Sequence, residues 1–119
     1  PGNDKLIVNG NIKASSFIES SLRKLKENII PYNQLALQKV NDLNIVTFDK
    51  INSVKNKIGI IADDNTTDND FLTNEKTGVD LYKTSFVQAK AIQELNNKIE
   101  QQSKEIDELK SLIYKYIIK

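Results

Sequence analysis

The sequence predicts an α+β fold: small strand elements and short helices, followed by a long C-terminal helix that forms a coiled coil. Two β-branched segments, residues 44–48 and 57–62, are bounded by polar residues and predict strands, and their connection over 49–56 favours an antiparallel pair. From residue 84 onwards isoleucine recurs at every seventh position, which is typical of a coiled coil. A chain of 119 residues is large enough for one modest core.

The composition limits the chemistry that the chain can carry. It contains no cysteine and no histidine, which excludes a disulfide framework, a cysteine zinc site and every histidine-based dyad or triad. The net charge is +1 with both signs interspersed, so we expect no nucleic-acid partner. No apolar run approaches the length of a bilayer span, so we expect no membrane partner. We expect no cofactor.

The first twenty residues are predicted to be β-structured. Residues 5–18 are strand-like, and Asn9-Gly10 in their middle is a strong hairpin signal because both residues tolerate a positive φ. A second interpretation is one extended run that continues a β-structured shaft from upstream. Either way, residues 1–20 are interpreted as a lead-in from a parent protein.

Two short helices are predicted next. Ser20 or Ser21 can cap a first helix over residues 22–29. Pro31 prevents that helix from continuing, and it suits the first turn of a second helix, where its missing N–H costs nothing. The apolar side of the second helix is predicted to consist of Leu35, Leu37, Val40 and Leu43.

Residues 63–70 form a polar loop with a partial likeness to a calcium loop. Counted from Asp64, Asp68 and Glu75 take the fifth and twelfth positions. However, Asn69 stands at the sixth position, where the sharp turn requires glycine. The pattern therefore favours a solvated loop, and no metal site is predicted.

The last helix is predicted over about residues 84–118, with a capping-box pattern formed by Ser85 and Gln88. Glu105 and Lys110 fall at g and e positions, so they can pair between neighbouring helices. The a and d positions form an apolar seam, which we call the seam. Its members are Ile92, Leu95, Ile99, Gln102, Ile106, Leu109 and Ile113, with Tyr116 at the next d position.

A helix of this length, roughly 50 Å, exceeds what the rest of the domain can cover. Its seam must therefore meet other chains or fold back on its own domain, and the unbroken heptads favour an oligomer. Isoleucine at a with leucine at d favours two strands by itself. Gln102 adds a polar layer that can set register and oligomer number.

One stretch near the start suggests covalent chemistry. A serine hydroxyl needs a base, and without histidine a lysine can serve when burial or a cationic neighbour keeps it neutral. Lys26 has Arg23 and Lys24 close by. Five residues of α-helix turn through about 500°, so Lys26 reaches Ser21 only if Ser21 lies at or before the helix start. Ser20 and Lys24 are a rival pair at i, i+4 spacing, and helix capping explains the serine equally well.

Residues 21–29 resemble the start of the self-cleaving intramolecular chaperone domain that ends many phage tail spikes, tail fibres and endosialidases. The eukaryotic myelin regulatory factor carries a related domain. The likeness covers nearly the whole chain and is also carried by residues 10–17, 58–62, 79–82 and 91–95. Among relatives, the Asn- and Lys-rich composition is most similar to neck appendages of short-tailed Bacillus phages.

The resemblance implies that residues 21–119 are a C-terminal chaperone that forms a homotrimer and helps the β-structured shaft of its parent fibre to fold. It then releases itself by autoproteolysis between Ser20 and Ser21. Carried over, Ser21 is the nucleophile and Lys26 the base. The family often has Asp after its serine, and Leu22 at that position predicts a slower cut.

The implied location is the host bacterial cytoplasm during virion assembly, with the parent protein in the virion tail. Two alternatives stay open. In one, the chain is a non-catalytic oligomerisation domain in which Ser21 only caps a helix. In the other, a Ser-Lys peptidase acts on other proteins.

Overall fold

The computed structural model describes residues 4–117 and divides the chain into two units, Pro1–Gln34 and Leu35–Lys119. Residues 1–3 of the predicted lead-in and residue 118 of the predicted helix lie outside the described residues. The α+β prediction is confirmed by one two-stranded antiparallel sheet and a long C-terminal helix.

The first unit contains no strand within its described residues, so the hairpin predicted at Asn9-Gly10 is not formed. A hairpin in water is marginal unless further strands or a helix cover one face. No such cover is present among the described residues, as the exposure of the segment's large apolar side chains shows. They are Leu6, Ile7, Val8, Ile12, Phe17 and Ile18.

The helix predicted over residues 22–29 is also wrong, since only a single 3₁₀ turn forms at Arg23–Leu25. Asn28 adopts a left-handed φ of 54°, which ends any helix, and Pro31 disfavours helical backbone in the residue before it. The segment left between the serines and Asn28 is too short to sustain an α-helix. The residue that precedes the turn is Leu22, which makes no side-chain cap, so neither serine caps it.

The second unit begins with helix α1, Ala36–Asn41. It starts five residues after Pro31, so the prediction that Pro31 occupies its first turn is wrong. Its N-cap residue, Leu35, has no side chain that can accept a hydrogen bond. The side chain that replaces a cap comes from the distant Glu94, whose Oε2 accepts the backbone N–H groups of Ala36 at 2.9 Å and Leu37 at 3.2 Å.

The predicted antiparallel pair is confirmed as strands β1, Val46–Phe48, and β2, Lys57–Gly59, with Thr47 opposite Ile58. Gly59 leaves room for the Phe48 ring, because a Cβ at residue 59 would stand 3.2 Å from Phe48 Cε1. The ring of Phe48 on β1 therefore packs over Gly59 of β2 on one face of the sheet.

Ion pairs and a capped turn stabilise the polar loop, residues 63–70. Lys39 Nζ of α1 contacts Asp68 Oδ2 at 2.6 Å and Asp70 Oδ2 at 3.4 Å. Asp68 also accepts the backbone N–H of Asp70 at 2.8 Å, which caps a 3₁₀ turn at Asn69–Phe71. Phe71 ends this turn and is fully buried in the core.

Helix α2 spans Leu81–Ile117, so it begins before the predicted residue 84. Asp80 Oδ1 accepts the backbone N–H of Lys83 at 3.0 Å and caps the helix. The capping box predicted from Ser85 is wrong, because Ser85 Oγ donates to the carbonyl of Tyr82 inside the helix.

The core of the second unit is small and lies between α1 and the first turns of α2. Phe71 packs there with Ala36, Val87 and Ala91, and Leu72 is also buried. The partly buried residues around this cluster are Leu37, Val40, Leu43 and Ile60.

Two parts of the second unit are named for use below. We call residues 35–80 the head and residues 95–117 of α2 the stem. Every residue of the stem is exposed.

Candidate functional site

The candidate site lies in the first unit, where one tight turn separates two extended residues. The turn is closed by backbone hydrogen bonds from Leu25 N to Leu22 O and from Lys26 N to Arg23 O, each 3.0 Å long. Leu22 and Lys26 themselves have extended backbone, with ψ of 142° and 153°. The chain therefore folds back over one turn between Ser21 and Lys26.

This turn brings the predicted pair together. Lys26 Nζ donates a hydrogen bond to Ser21 Oγ at 2.5 Å. In a continuous α-helix the same five-residue separation would point the side chains in different directions. Ser21 lies before the turn, as the hypothesis required, although the turn is 3₁₀ rather than α. Both residues are exposed in the single chain.

The rival pair is not brought together. Among residues 4–117, Ser20 and Lys24 share no hydrogen bond. Lys24 lies inside the 3₁₀ turn, while Ser20 is upstream of the extended Leu22. The i, i+4 spacing would bring them together only in an α-helix, which does not form here.

Asn28 is a feature of the site that the sequence analysis missed. Its left-handed backbone, with φ of 54°, redirects the chain two residues after Lys26. Asparagine is one of the few non-glycine residues that adopt this conformation readily. The signal in the sequence for this change of direction was an asparagine directly after the polar pair Lys26-Glu27.

The partial calcium loop is occupied by the protein's own polar groups. Asp64 Oδ1 accepts hydrogen bonds from the backbone and the hydroxyl of Thr66, and Asp68 is engaged by Lys39. In the described part of the chain, no group of three metal-ligating side chains lies close enough together to hold an ion.

A membrane span requires a helix that combines sufficient length with high hydropathy. Among the described residues, no helix is both long and apolar enough to cross a membrane.

The ion pair between α1 and the loop shifts the pKa values of both partners. The hydrogen bond from Asp68 raises the pKa of Lys39 above its ordinary value, against an opposing effect of burial. Burial acts to raise the pKa of Asp68, but the Lys39 ammonium and the Asp70 N–H together outweigh it, so the pKa falls below its ordinary value. The pair therefore stabilises the charged form of each partner.

The second candidate surface is the seam of α2. Its apolar members are at least 44% exposed in the single chain: Ile92, Leu95, Ile99, Ile106, Leu109 and Ile113. The residues of α2 that touch the head form a different stripe, with Val87 and Ala91 buried and Glu94 half-buried. The alternative of a helix that folds its seam onto its own domain therefore does not describe this chain.

These features define an α+β domain with a serine–lysine pair near its start and a long helix with an exposed apolar seam. Residues 21–65 match the protein family described as chaperone of endosialidase. Over these residues the match confirms the resemblance drawn from the sequence. Comparisons with curated proteins and with solved structures gave no significant match.

Proposed function

We propose that the chain is a C-terminal intramolecular chaperone that trimerises, helps a phage tail fibre or spike to fold, and then releases itself by autoproteolysis between Ser20 and Ser21. The observation that carries the catalytic part is the contact between Lys26 Nζ and Ser21 Oγ. The family match over residues 21–65, which begins at Ser21, supports the chaperone role.

The proposed cut begins with the transfer of the Ser21 Oγ proton to the Lys26 amine. Ser21 Oγ then attacks the carbonyl carbon of Ser20, and the tetrahedral intermediate collapses by breaking the Ser20–Ser21 C–N bond. The leaving nitrogen takes the proton from Lys26, which leaves an ester between the Ser20 carbonyl and Ser21 Oγ.

Water then adds to that ester, the C–O bond breaks, and the Ser21 hydroxyl is restored. The products are a peptide that ends in the Ser20 carboxylate and a fragment that begins with a free amino group at Ser21. Lys26 is returned to its starting state. The reaction occurs once per chain, so removal of the chaperone would stabilise the folded shaft kinetically.

The exposed seam supports the oligomeric part of the proposal. An apolar stripe along a stem of 23 residues is left uncovered by residues 4–117 of its own chain, and another copy offers the matching stripe. Glu105 at g and Lys110 at e are complementary charges that favour a parallel arrangement. The number of chains, three, comes from the family resemblance.

The folding client is proposed to be the β-structured shaft that precedes Ser21. Ile7, Ile12, Phe17 and Ile18 are exposed in the single chain and would be covered if strands from several chains came together. We place this assembly in the host bacterial cytoplasm, with the parent protein in the virion tail.

The test of cleavage is mass spectrometry of the refolded chain. Wild type should yield a fragment of residues 21–119, while Ser21→Ala should stay intact. Ser20→Ala is the matched control, because the reaction uses the carbonyl of residue 20 and not its side chain, so this variant should still be cut. A wild-type chain that stays whole while it oligomerises would establish the non-catalytic oligomerisation domain instead.

A further inference from the structure

Outside the seam, α2 carries an exposed aromatic pair at its base. The rings of Tyr82 and Phe86 lie one helical turn apart with centroids 5.1 Å from each other and a tilt of 60°. Tyr82 is 44% and Phe86 58% exposed. Two adjacent aromatic rings present a large apolar area to water. An exposed apolar patch on a soluble protein commonly marks an interaction site.

The heptad register shows which side of the helix this pair occupies. Continued back from Ile92, it places Tyr82 at e and Phe86 at b. The residues that pack against the chain's own head lie on the opposite flank, with Ala91 at g and Val87 and Glu94 at c. One flank of α2 is therefore covered by its own head, and the other is left bare.

In a parallel coiled coil the g flank of each helix abuts the e flank of its neighbour. A head attached along g and c would lie beside the e and b flank of the adjacent helix. We propose that the aromatic pair of each chain is the docking site for the head of a neighbouring copy. This inference rests on the proposed oligomer and adds a contact that the seam alone does not provide.

The head lies against α2 at the level of the aromatic pair. Lys83 Nζ of α2 donates to the carbonyl of Asn69 at 3.3 Å and to that of Leu72 at 2.9 Å, and farther along the helix the N–H of Ala36 donates to Glu94. The head therefore covers one flank of α2 from residue 83 to residue 94. The complementary charges of Glu105 and Lys110 favour the parallel orientation that this arrangement needs. Repeated around the axis, the contact forms a closed ring at the base of the stem.

The first test compares Phe86→Ser with Tyr114→Ser. Tyr114 is also a b residue and is 69% exposed, but it lies on the stem, beyond the reach of any head. We expect Phe86→Ser to raise the dissociation constant of the oligomer about tenfold or more, and Tyr114→Ser less than about twofold, by sedimentation equilibrium. Equal effects of the two substitutions would overturn the proposal. Circular dichroism of each variant checks that the helix is retained.

The second test measures cover directly and does not depend on stability. The chain has no cysteine, so Phe86→Cys and Tyr114→Cys each introduce a single thiol. In the assembled oligomer a maleimide should react several-fold more slowly at residue 86 than at residue 114, and the difference should vanish in denaturant. Equal rates in an assembled oligomer would overturn the head contact alone. Light scattering that shows a monomeric wild type would instead overturn the oligomer on which it rests.

Discussion

Glu94 Oε2 on α2 accepts the backbone N–H of Ala36 on α1 at 2.9 Å, across 58 positions of sequence. A second bond, from Leu37 N, makes this carboxylate the cap that the local sequence of α1 lacks. The contact fixes the orientation of the head on the long helix. It also places a negative charge at the positive end of a short helix, where it is favourable.

Glu94→Ala should destabilise the second unit by about 1–2 kcal/mol, because it removes a cap and leaves the N–H groups of the buried Ala36 and the half-buried Leu37 without a protein partner. Urea unfolding at fixed protein concentration measures the change. Glu108→Ala is the matched control, since Glu108 occupies the same c position on the exposed stem. If both variants lose equal stability, Glu94 has no special role.

Lys26→Ala should abolish the cut at Ser21, because the Lys26 amine contacts Ser21 Oγ. Lys24→Ala should leave the cut in place, because no contact joins Lys24 to Ser21 within residues 4–117. Mass spectrometry of the refolded chains gives the fraction cut. The Ser21–Lys26 contact lies within one chain, so co-refolded Ser21→Ala and Lys26→Ala chains should also stay whole. Cleavage in the mixed oligomer would mean that the lysine acts on a neighbouring chain.

Ile99→Asp and Ile106→Asp should break the oligomer, since each places a carboxylate in the seam between chains. The expected result by light scattering is a monomer. Asn97→Asp and Ser111→Asp add the same group at the outward f position and should leave the oligomer unchanged. A native oligomer in the Ile99→Asp and Ile106→Asp double variant would remove the coiled-coil argument.

The Lys39–Asp68 pair should make stability depend on pH at both ends of the scale. The pKa of Asp68 is lowered in the folded state, so its contribution is present above the unfolded pKa and is lost as the pH falls below about 4. The pKa of Lys39 is raised, so its contribution is present below the unfolded pKa and is lost as the pH rises above about 10.

Lys39→Met tests this dependence by removing one partner of the pair. At neutral pH it should cost on the order of 1 kcal/mol, a modest value because Asp68 is partly exposed. The difference from wild type should shrink at both extremes of pH. Lys55→Met removes an exposed lysine and should show neither the cost nor the pH dependence. A difference that stays constant from pH 3 to 11 would show that the pair contributes packing and not charge.

The sequence analysis succeeded where one local pattern decides the structure. Short β-branched segments between polar boundaries located β1 and β2, and the seven-residue repeat located α2. It failed where a local signal needs support from elsewhere. Asn9-Gly10 favours a hairpin, but without further strands to cover it the hairpin does not form.

Helix boundaries were less well predicted because capping depends on backbone geometry as well as residue type. Ser85 and Ser21 are good capping residues, yet Asp80 caps α2 and neither serine caps the turn at Arg23–Leu25. Glu94 could not be predicted as the cap of α1, since nothing local links residues 58 positions apart. Such a contact exists only once α2 has packed against the head.

The sequence by itself determined the α+β class, the strand pair, the heptad seam and the candidate pair Ser21 and Lys26. The tertiary structure decided that a 3₁₀ turn, and not an α-helix, brings the Lys26 amine to the Ser21 hydroxyl. It also decided which flank of α2 is covered by the head and which is left exposed. The reason is that periodicity shows which residues share a face, while only packing shows what that face meets.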